Sequence, residues 1–217
     1  MDLRKNRFLR KIVYCWRNFQ DKHSYTKGKG NQIINKGVKV ASRLQIRGNN
    51  NYIYIEKDAV IRNTLIRIYG NNIVVNIKSG AYVSGAELWI EDNACKIIIG
   101  ENTFVGHHSH LACTEDGSQL IIGKDGMLSS YVQIRTGDSH SILDLAGNRI
   151  NQAQSVYIGN HCWIGQGAKI LKGVTLEGDN VVSTGAIVTE SFTKHQLIGG
   201  IPAKILKEDI TWDKQRI

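Results

Sequence analysis

The sequence predicts an all-β protein built as a parallel β-helix, and three observations support this prediction. From residue 158 to residue 193 an aliphatic residue recurs at every sixth position, and a small residue follows it four places later. Upstream, aliphatic anchors recur at intervals of 21 to 23 residues. The chain has 22 glycines but only 1 proline, which suits tight turns and strands whose every N–H is paired. Three short strands with three turns close one triangular coil, and stacked coils share one core.

The six-residue copies lie in the C-terminal half of the chain. The residues that open them are Ile158, Ile164, Ile170, Leu176, Val182 and Val188. The residues four places later are Cys162, Ala168, Val174, Asn180, Ala186 and Phe192. Only Phe192 is large, and it comes where the array ends. Each copy therefore predicts a short strand with its aliphatic side chain inside, followed by a tight turn.

The N-terminal segment, residues 1–23, places apolar residues at a spacing of three to four with Arg and Lys between them. This spacing predicts a basic amphipathic helix. Such a helix either caps the open end of the β-helix, which we favour, or lies on an anionic membrane surface. Residues 24–31 are rich in Gly, Lys, Ser and Thr and predict a linker.

The coils of the β-helix begin near residue 32 and continue to residue 198. Their anchors are Ile34, Ile55, Ile77, Ile99 and Ile122. Turns rich in Asn and Gly separate the anchors, and both residue types accept left-handed backbone angles. One corner of each coil is therefore expected to be longer than the others. The Asn side chains at this corner either stack as a hydrogen-bonded ladder or serve as ordinary turn residues.

One interval departs from the others. Ile122 and Ile158 are 36 residues apart, so about fourteen residues leave the solenoid, around residues 138–155. Long loops on a rigid scaffold are where function tends to lie. His140 stands at the start of this loop.

Composition limits the class of partner. The formal charge of +9 indicates anionic partners, but the basic residues are spread along the chain without a nucleic-acid-binding motif, so we expect no nucleic acid. No apolar run approaches the roughly 18 residues that span a bilayer, and no secretory signal is evident. The cysteines stand far apart, which predicts reduced thiols and a cytoplasmic location. They are Cys15, Cys95, Cys113 and Cys162.

Four segments resemble one known family. They are residues 138–140, 148–151, 156–165 and 199–204. They are similar to the hexapeptide-repeat acyltransferases, in the branch of sugar and polysaccharide O-acetyltransferases, and the resemblance covers roughly residues 95–212. It implies a left-handed β-helix and a homotrimer with coenzyme between subunits. It also implies transfer of an acetyl group from acetyl-CoA to a hydroxyl of a sugar or cell-surface polysaccharide. The net charge of +9 favours an anionic acceptor among these.

Two alternatives remain beside this function. One is N-acetylation of a nucleotide-linked amino sugar, but that branch usually begins with a nucleotide-binding βαβ domain, which this sequence does not predict. The other is a non-catalytic or metal-binding β-helix. The loop with His140 argues against it, because a structural solenoid has no need to break its own period.

The resemblance also implies catalytic residues. Acyl transfer to a hydroxyl needs a base, and His140 matches the catalytic histidine of the family. Asp138 or Asp144 would orient its ring, although Asp138 also suits a turn. The backbone N–H of Gly165 is a candidate donor to the oxyanion. Trp163 resembles the aromatic residue that the family places beside the active site. Alternatively, it is a large side chain that fills the interface between subunits of a trimer.

Further residues are expected at the two substrate sites. The coenzyme-binding residues that the resemblance implies are Trp163, Gly165, Ser183, Thr184, Gly185, Ala186, Pro202, Ala203 and Lys204. Lys204 would meet a coenzyme phosphate. The expected acceptor-binding residues are His108, His110 and Arg135.

Three neighbouring histidines raise the possibility of zinc. On a strand, His108 and His110 share a face and His107 opposes them, which leaves two ligands and no third at a recognised spacing. We therefore expect no metal.

The C-terminal segment, residues 199–217, closes the chain. A short helix is predicted for residues 203–212, with Trp212 docking onto the end of the β-helix.

Overall fold

The structure, a computed structural model, describes residues 23–216. The helix predicted for residues 1–23 therefore falls almost wholly outside the described residues. Within residues 23–216 the regular elements are β-strands, arranged in three sheets around one solenoid. No helix in this range is long and apolar enough to cross a membrane.

Each sheet forms one face of a triangular prism. Sheet A contains β1 (Tyr25–Lys27), β4 (Arg43–Arg47), β7 (Leu65–Tyr69), β10 (Glu87–Glu91), β13 (His110–Cys113), β16 (Gln133–Arg135), β19 (Lys169–Ile170) and β22 (Ile187–Val188). Sheet B contains β2 (Gln32–Asn35), β5 (Tyr52–Ile55), β8 (Val74–Ile77), β11 (Lys96–Ile99), β14 (Gln119–Ile122), β17 (Val156–Ile158) and β20 (Thr175–Leu176). Sheet C contains β3 (Val38–Val40), β6 (Val60–Arg62), β9 (Tyr82–Ser84), β12 (Phe104–Val105), β15 (Met127–Leu128), β18 (Trp163–Ile164), β21 (Val181–Val182), β23 (Leu197–Gly200) and β24 (Ala203–Lys207).

Successive coils stack in parallel register. Ile97 of β11, for example, pairs with Val75 of β8 below and with Leu120 of β14 above. Because each coil adds one strand to each sheet, inward side chains of the same kind stack along the axis. The all-β parallel solenoid that the sequence predicts is confirmed.

The core consists of the residues that the six-residue period selects. All six opening aliphatic residues and all six residues four places later are buried. The polar exception is Asn180, whose amide is satisfied: its Nδ2 donates to the Thr193 carbonyl at 2.6 Å, and its Oδ1 accepts from the Gly178 N–H at 3.1 Å.

The corner between sheets A and B carries a ladder of side-chain amides. Asn49 Nδ2 donates to Asn71 Oδ1 at 3.1 Å, and Asn71 Nδ2 donates to Asn93 Oδ1 at 2.8 Å. Asn93 Nδ2 in turn donates to Asp116 Oδ1 at 3.1 Å. Of the two alternatives for these Asn residues, the structure therefore has the ladder. The chain leaves the solenoid at this same corner, one coil beyond Asp116, to form the long loop.

The helix predicted for residues 203–212 is wrong. Residues Ala203–Lys207 form β24, which turns back antiparallel to β23, with Gly200 paired to Ala203. β23 would otherwise leave a row of unpaired backbone groups at the edge of sheet C, and β24 satisfies them. This pairing outweighs the local helical preference of the segment.

Candidate active site

The segment between β16 and β17 folds as a hairpin-like loop. Its two ends meet where the Gln154 N–H donates to the Thr136 carbonyl at 2.8 Å. Near its tip the Ile150 N–H donates to the Ile142 carbonyl at 2.9 Å. The Asp144 carboxylate closes the tip, since it accepts from the Asn148 N–H at 2.8 Å. Asp144 therefore serves as a turn residue at the tip of the loop.

A polar cluster joins the base of the loop to the next coil. Asp138 accepts hydrogen bonds from Lys172 Nζ and, at 2.9 Å, from Asn151 Nδ2. Asn151 Nδ2 also lies 2.8 Å from the carbonyl oxygen of His140, to which it donates. The hydrogen bond from Lys172 is the main reason why the pKa of Asp138 lies below its usual value. Asp138 thus anchors the backbone that carries His140, and its carboxylate is directed at Lys172 and Asn151.

A second ion pair holds the returning arm of the loop. Arg149 Nη1 donates to Glu115 Oε2 at 2.9 Å, and the Ala153 N–H donates to the same oxygen at 3.2 Å. The pKa of Glu115 is lowered, and the hydrogen bond with Arg149 is the largest single cause. The loop is therefore fixed to the coil below it as well as to the coil above it.

A cavity of about 450 Å³ lies between this loop and the outer surface of sheet A. It is lined by Trp89, Glu91, His110, Ala112, Thr114, Arg135, Gly137, Ser139 and His140. His140 is exposed, at the start of the loop. The structure thus brings together three of the expected site residues, His140, His110 and Arg135.

His110 is a half-buried residue of this cavity. Burial lowers its pKa, and Glu87, whose carboxylate lies 3.9 Å from His110 Nε2, acts in the opposite direction. The positive charge of Arg135 lowers the pKa further. His110 is therefore neutral at pH 7 and adds hydrogen-bonding capacity to the cavity rather than charge.

His108 does not reach the cavity. It lies at the corner between sheets C and A, where its ring stacks on Tyr131 with centroids 4.8 Å apart. His108 is not among the residues that line this cavity, and its contact with an acceptor stays a prediction. Among residues 23–216 no cluster of three or more His, Cys, Asp or Glu side chains is arranged to hold a metal.

Trp163 lies on sheet C, on a different face of the prism from the cavity. Its Nε1 lies 3.4 Å from Ser129 Oγ, and its ring centroid lies 5.9 Å from that of Trp212. Trp212 stacks on His161 at 4.5 Å and donates from Nε1 to the His161 carbonyl at 2.8 Å. The C-terminal segment therefore docks Trp212 against the solenoid and builds an aromatic surface beside Trp163.

Gly165 does not offer a free oxyanion donor. Its N–H donates to the Val182 carbonyl at 2.7 Å. A Cβ at this position would lie 2.6 Å from the Thr184 nitrogen, so glycine is required by the close approach of two coils. In the described structure this N–H is bonded to the next coil, and a role for Gly165 as oxyanion donor stays a prediction.

The expected coenzyme-binding residues that follow are only partly accessible. Thr184 and Gly185 are exposed, and nothing lies within 4 Å of where a Cβ of Gly185 would stand. Ser183 is half-buried, whereas Ala186 and Ala203 are buried in the core. The Thr184–Gly185 turn is thus the open part of this surface.

Lys204 has an acidic partner. Its Nζ forms an exposed ion pair with Glu190, beside a cavity of about 360 Å³ that both residues line. Pro202 is exposed, in the turn that joins β23 to β24. A coenzyme phosphate at Lys204 would therefore have to compete with the Glu190 carboxylate.

A solenoid of stacked three-strand coils with one anchored histidine loop defines a protein of the hexapeptide-repeat acyltransferase class. No family model matches the chain. A polysialic acid O-acetyltransferase of Neisseria meningitidis is 35% identical over 198 residues, which cover 89% of this chain and 91% of that protein. The crystal structure of the polysialic acid O-acetyltransferase OatWY superposes with a TM-score of 0.84 at 33% identity, covering 88% of this chain and 92% of the other.

A second crystal structure, of the polySia-specific acetyltransferase NeuO, superposes with a TM-score of 0.83 at 30% identity and covers 90% of each chain. The chain belongs to the family of O-acetyltransferases that includes these enzymes, and it is an acyltransferase.

Proposed function

We propose that this protein transfers an acetyl group from acetyl-CoA to a hydroxyl of a polysaccharide, with His140 as the general base. The observation that supports this best is the placement of His140 beside a cavity of about 450 Å³, on a loop fixed to a rigid solenoid. The similarity over most of the chain to polysialic acid O-acetyltransferases supports a polysaccharide acceptor. It also supports a left-handed coil, the hand of the family.

The chemistry assigned to His140 is proton transfer. Acetyl-CoA supplies the acetyl group as a thioester. The imidazole takes the proton of the acceptor hydroxyl as its oxygen bonds to the acetyl carbon, and gives a proton to the departing thiol as the C–S bond breaks. Asp138 contributes by position, because it accepts a hydrogen bond from Asn151 Nδ2, which also donates to the His140 carbonyl.

The coenzyme is assigned to the surface around Trp163 and the Thr184–Gly185 turn. Trp163 is 37% exposed, and its indole offers an apolar face to the pantetheine arm. The open space at Gly185 leaves room for a ligand against the backbone. Lys204 remains the candidate for a phosphate contact.

The two halves of this site lie on different faces of one subunit, so we infer a homotrimer that joins them. His140 lies over sheet A, whereas Trp163 lies on sheet C. The loop also exposes four large apolar side chains, which need cover. They are Ile142, Leu143, Leu145 and Ile150. In a cyclic trimer the loop of one subunit would pack against the coenzyme surface of its neighbour.

The cytoplasm is the location that suits this assignment. Cys95, Cys113 and Cys162 are free and buried in the structure, as expected of a protein in a reducing compartment.

The test is acetylation of defined acceptors by the purified full-length protein. Acetyl-CoA labelled in the acetyl group is incubated with an acidic polysaccharide, a neutral polysaccharide and a nucleotide-linked amino sugar, and thiol release is followed. We expect label on a polysaccharide that mild alkali removes, because O-acetyl esters are labile and amides are not. Alkali-stable label on the amino sugar, or thiol release independent of every acceptor, would overturn the proposal.

A further inference from the structure

Three side chains on neighbouring strands shape the cavity beside His140. Trp89 of β10 pairs in register with Ala112 of β13, which pairs with Arg135 of β16. Neighbouring strands lie about 4.8 Å apart, so Trp89 and Arg135 stand roughly 10 Å apart along the sheet. Ala112 lies between them and is only 7% exposed, so its small side chain forms the floor of the cavity. The width of this gap suits one sugar ring.

The indole of Trp89 is held in place from one side. The Arg67 guanidinium lies over it, 5.0 Å from the ring centroid, and Tyr69 contacts it edge-on at 5.6 Å. Both partners belong to β7, on the side away from Ala112. The opposite side of Trp89 faces the cavity, where an aromatic surface can pack against the C–H groups of a sugar.

Arg135 sets the charge of the cavity. Among the described residues that line it, Arg135 is the only arginine or lysine, and no described carboxylate forms an ion pair with it. His110 is kept neutral by burial and by Arg135 itself. Glu91 lines the same cavity and repels anions near it. The charge of the cavity is therefore asymmetric: Arg135 attracts a carboxylate, and Glu91 repels it.

We infer that this cavity is the acceptor subsite for one acidic sugar residue, with the ring over Ala112 against Trp89 and the sugar carboxylate paired with Arg135. A guanidinium binds a carboxylate with two parallel hydrogen bonds, so this pair also fixes the rotation of the sugar. The repulsion by Glu91 disfavours the reversed orientation. A hydroxyl of the bound residue is thereby directed to His140. This inference rests on the proposed function and assigns Trp89, Ala112 and Arg135 to recognition of the acceptor.

The test compares two acceptors that differ only in charge: polysialic acid, and the same polymer after reduction of its carboxyl groups to alcohols. Arg135→Gln is expected to lower kcat/KM on the carboxylated polymer by about 30-fold, mainly through KM, because a charge-assisted pair is lost. On the reduced polymer the change is expected to stay within about threefold. The matched control is Lys169→Gln, which removes the same charge from exposed β19 of sheet A, outside the cavity.

A second variant tests the space rather than the charge. Ala112→Leu fills the gap and is expected to abolish turnover of both polymers, while acetyl-CoA binding measured by calorimetry stays within about twofold. An equal loss on both polymers in Arg135→Gln would overturn the subsite, as would full polymer turnover by Ala112→Leu. Those results would leave the proposed function standing. A wild-type protein that acetylates neither polymer nor any other polysaccharide would overturn both.

Discussion

Lys172 and Asp138 form an ion pair across the base of the loop that presents His140. Lys172 lies in the turn after β19, one coil beyond the loop, and also donates to the Asn151 carbonyl at 2.9 Å. The coil that follows the loop therefore fixes where His140 stands.

The first prediction concerns this ion pair. Lys172→Met is expected to lower kcat by roughly 10- to 100-fold and to change the KM for acetyl-CoA by less than about twofold, because the loop loses its anchor while the coenzyme surface is untouched. Initial rates of thiol release give both constants. Lys169→Met in the preceding strand serves as the control. Unchanged kcat in Lys172→Met would show that the loop is held without Lys172.

The second prediction concerns acid. The folded-state pKa of Asp138 is lowered, mainly by Lys172, so its ionised form stabilises the folded protein above the unfolded pKa of about 3.9. This contribution is lost as the pH falls through the lower, folded-state pKa. The difference in Tm between wild type and Asp138→Asn should therefore be constant from pH 7 to pH 5 and shrink below about pH 4. A difference that changes near pH 6 would point to another titrating group.

The solenoid could be predicted from the sequence because its local pattern and its tertiary structure have the same period. Each aliphatic residue of the six-residue copies lies inside, so a one-dimensional pattern identifies the core. The loop was predictable as an interruption of that period. Lys172 was not, since it meets Asp138 from 34 residues away and no local signal marks the pair.

Other features depend on contacts that no sequence pattern contains. Residues 203–207 become a strand because the edge of sheet C is open to pairing, which outweighs local preference. A glycine in a turn often has a free N–H that could stabilise an oxyanion, but the N–H of Gly165 donates to the Val182 carbonyl of the next coil. The residues around Asn71 suit an ordinary turn equally well, and only the hydrogen bond to Asn93 on the next coil makes Asn71 part of a ladder. In each case the deciding partner lies on another coil.

The third prediction concerns the proposed base. His140→Ala is expected to lower kcat by about 10²- to 10⁴-fold, the usual contribution of a positioned general base, while acetyl-CoA still binds. Steady-state kinetics and calorimetry separate the two effects. His108→Ala is the matched control, because His108 stacks on Tyr131 outside the cavity, and its kcat should stay within about threefold. Wild-type turnover in His140→Ala would remove His140 from the mechanism.

The fourth prediction concerns the core. Ile97 is fully buried between Val75 and Leu120 of the adjacent coils, so Ile97→Ala is expected to cost about 2–5 kcal/mol of stability through lost burial and an unfilled cavity. Thermal unfolding would show this as a lowered Tm. Ile98→Ala, at the outward position of the same strand, should lower the Tm by much less. Equal effects at the two positions would contradict the assigned inward and outward faces.

The last prediction concerns assembly. His140 lies over sheet A and Trp163 on sheet C, so a complete site in the inferred trimer takes one residue from each of two neighbouring subunits. His140→Ala and Trp163→Ala are each expected to have greatly reduced activity alone. When the two are co-expressed in equal amounts and mix at random, about a quarter of the interfaces pair an intact His140 with an intact Trp163. The mixed preparation should therefore recover roughly a quarter of wild-type turnover, measured by thiol release with acceptor present. The double variant, with both substitutions in one chain, should recover nothing when mixed with either single variant. A mixture no more active than the average of its parents, or a mass of one subunit by light scattering, would rule out a site shared between subunits.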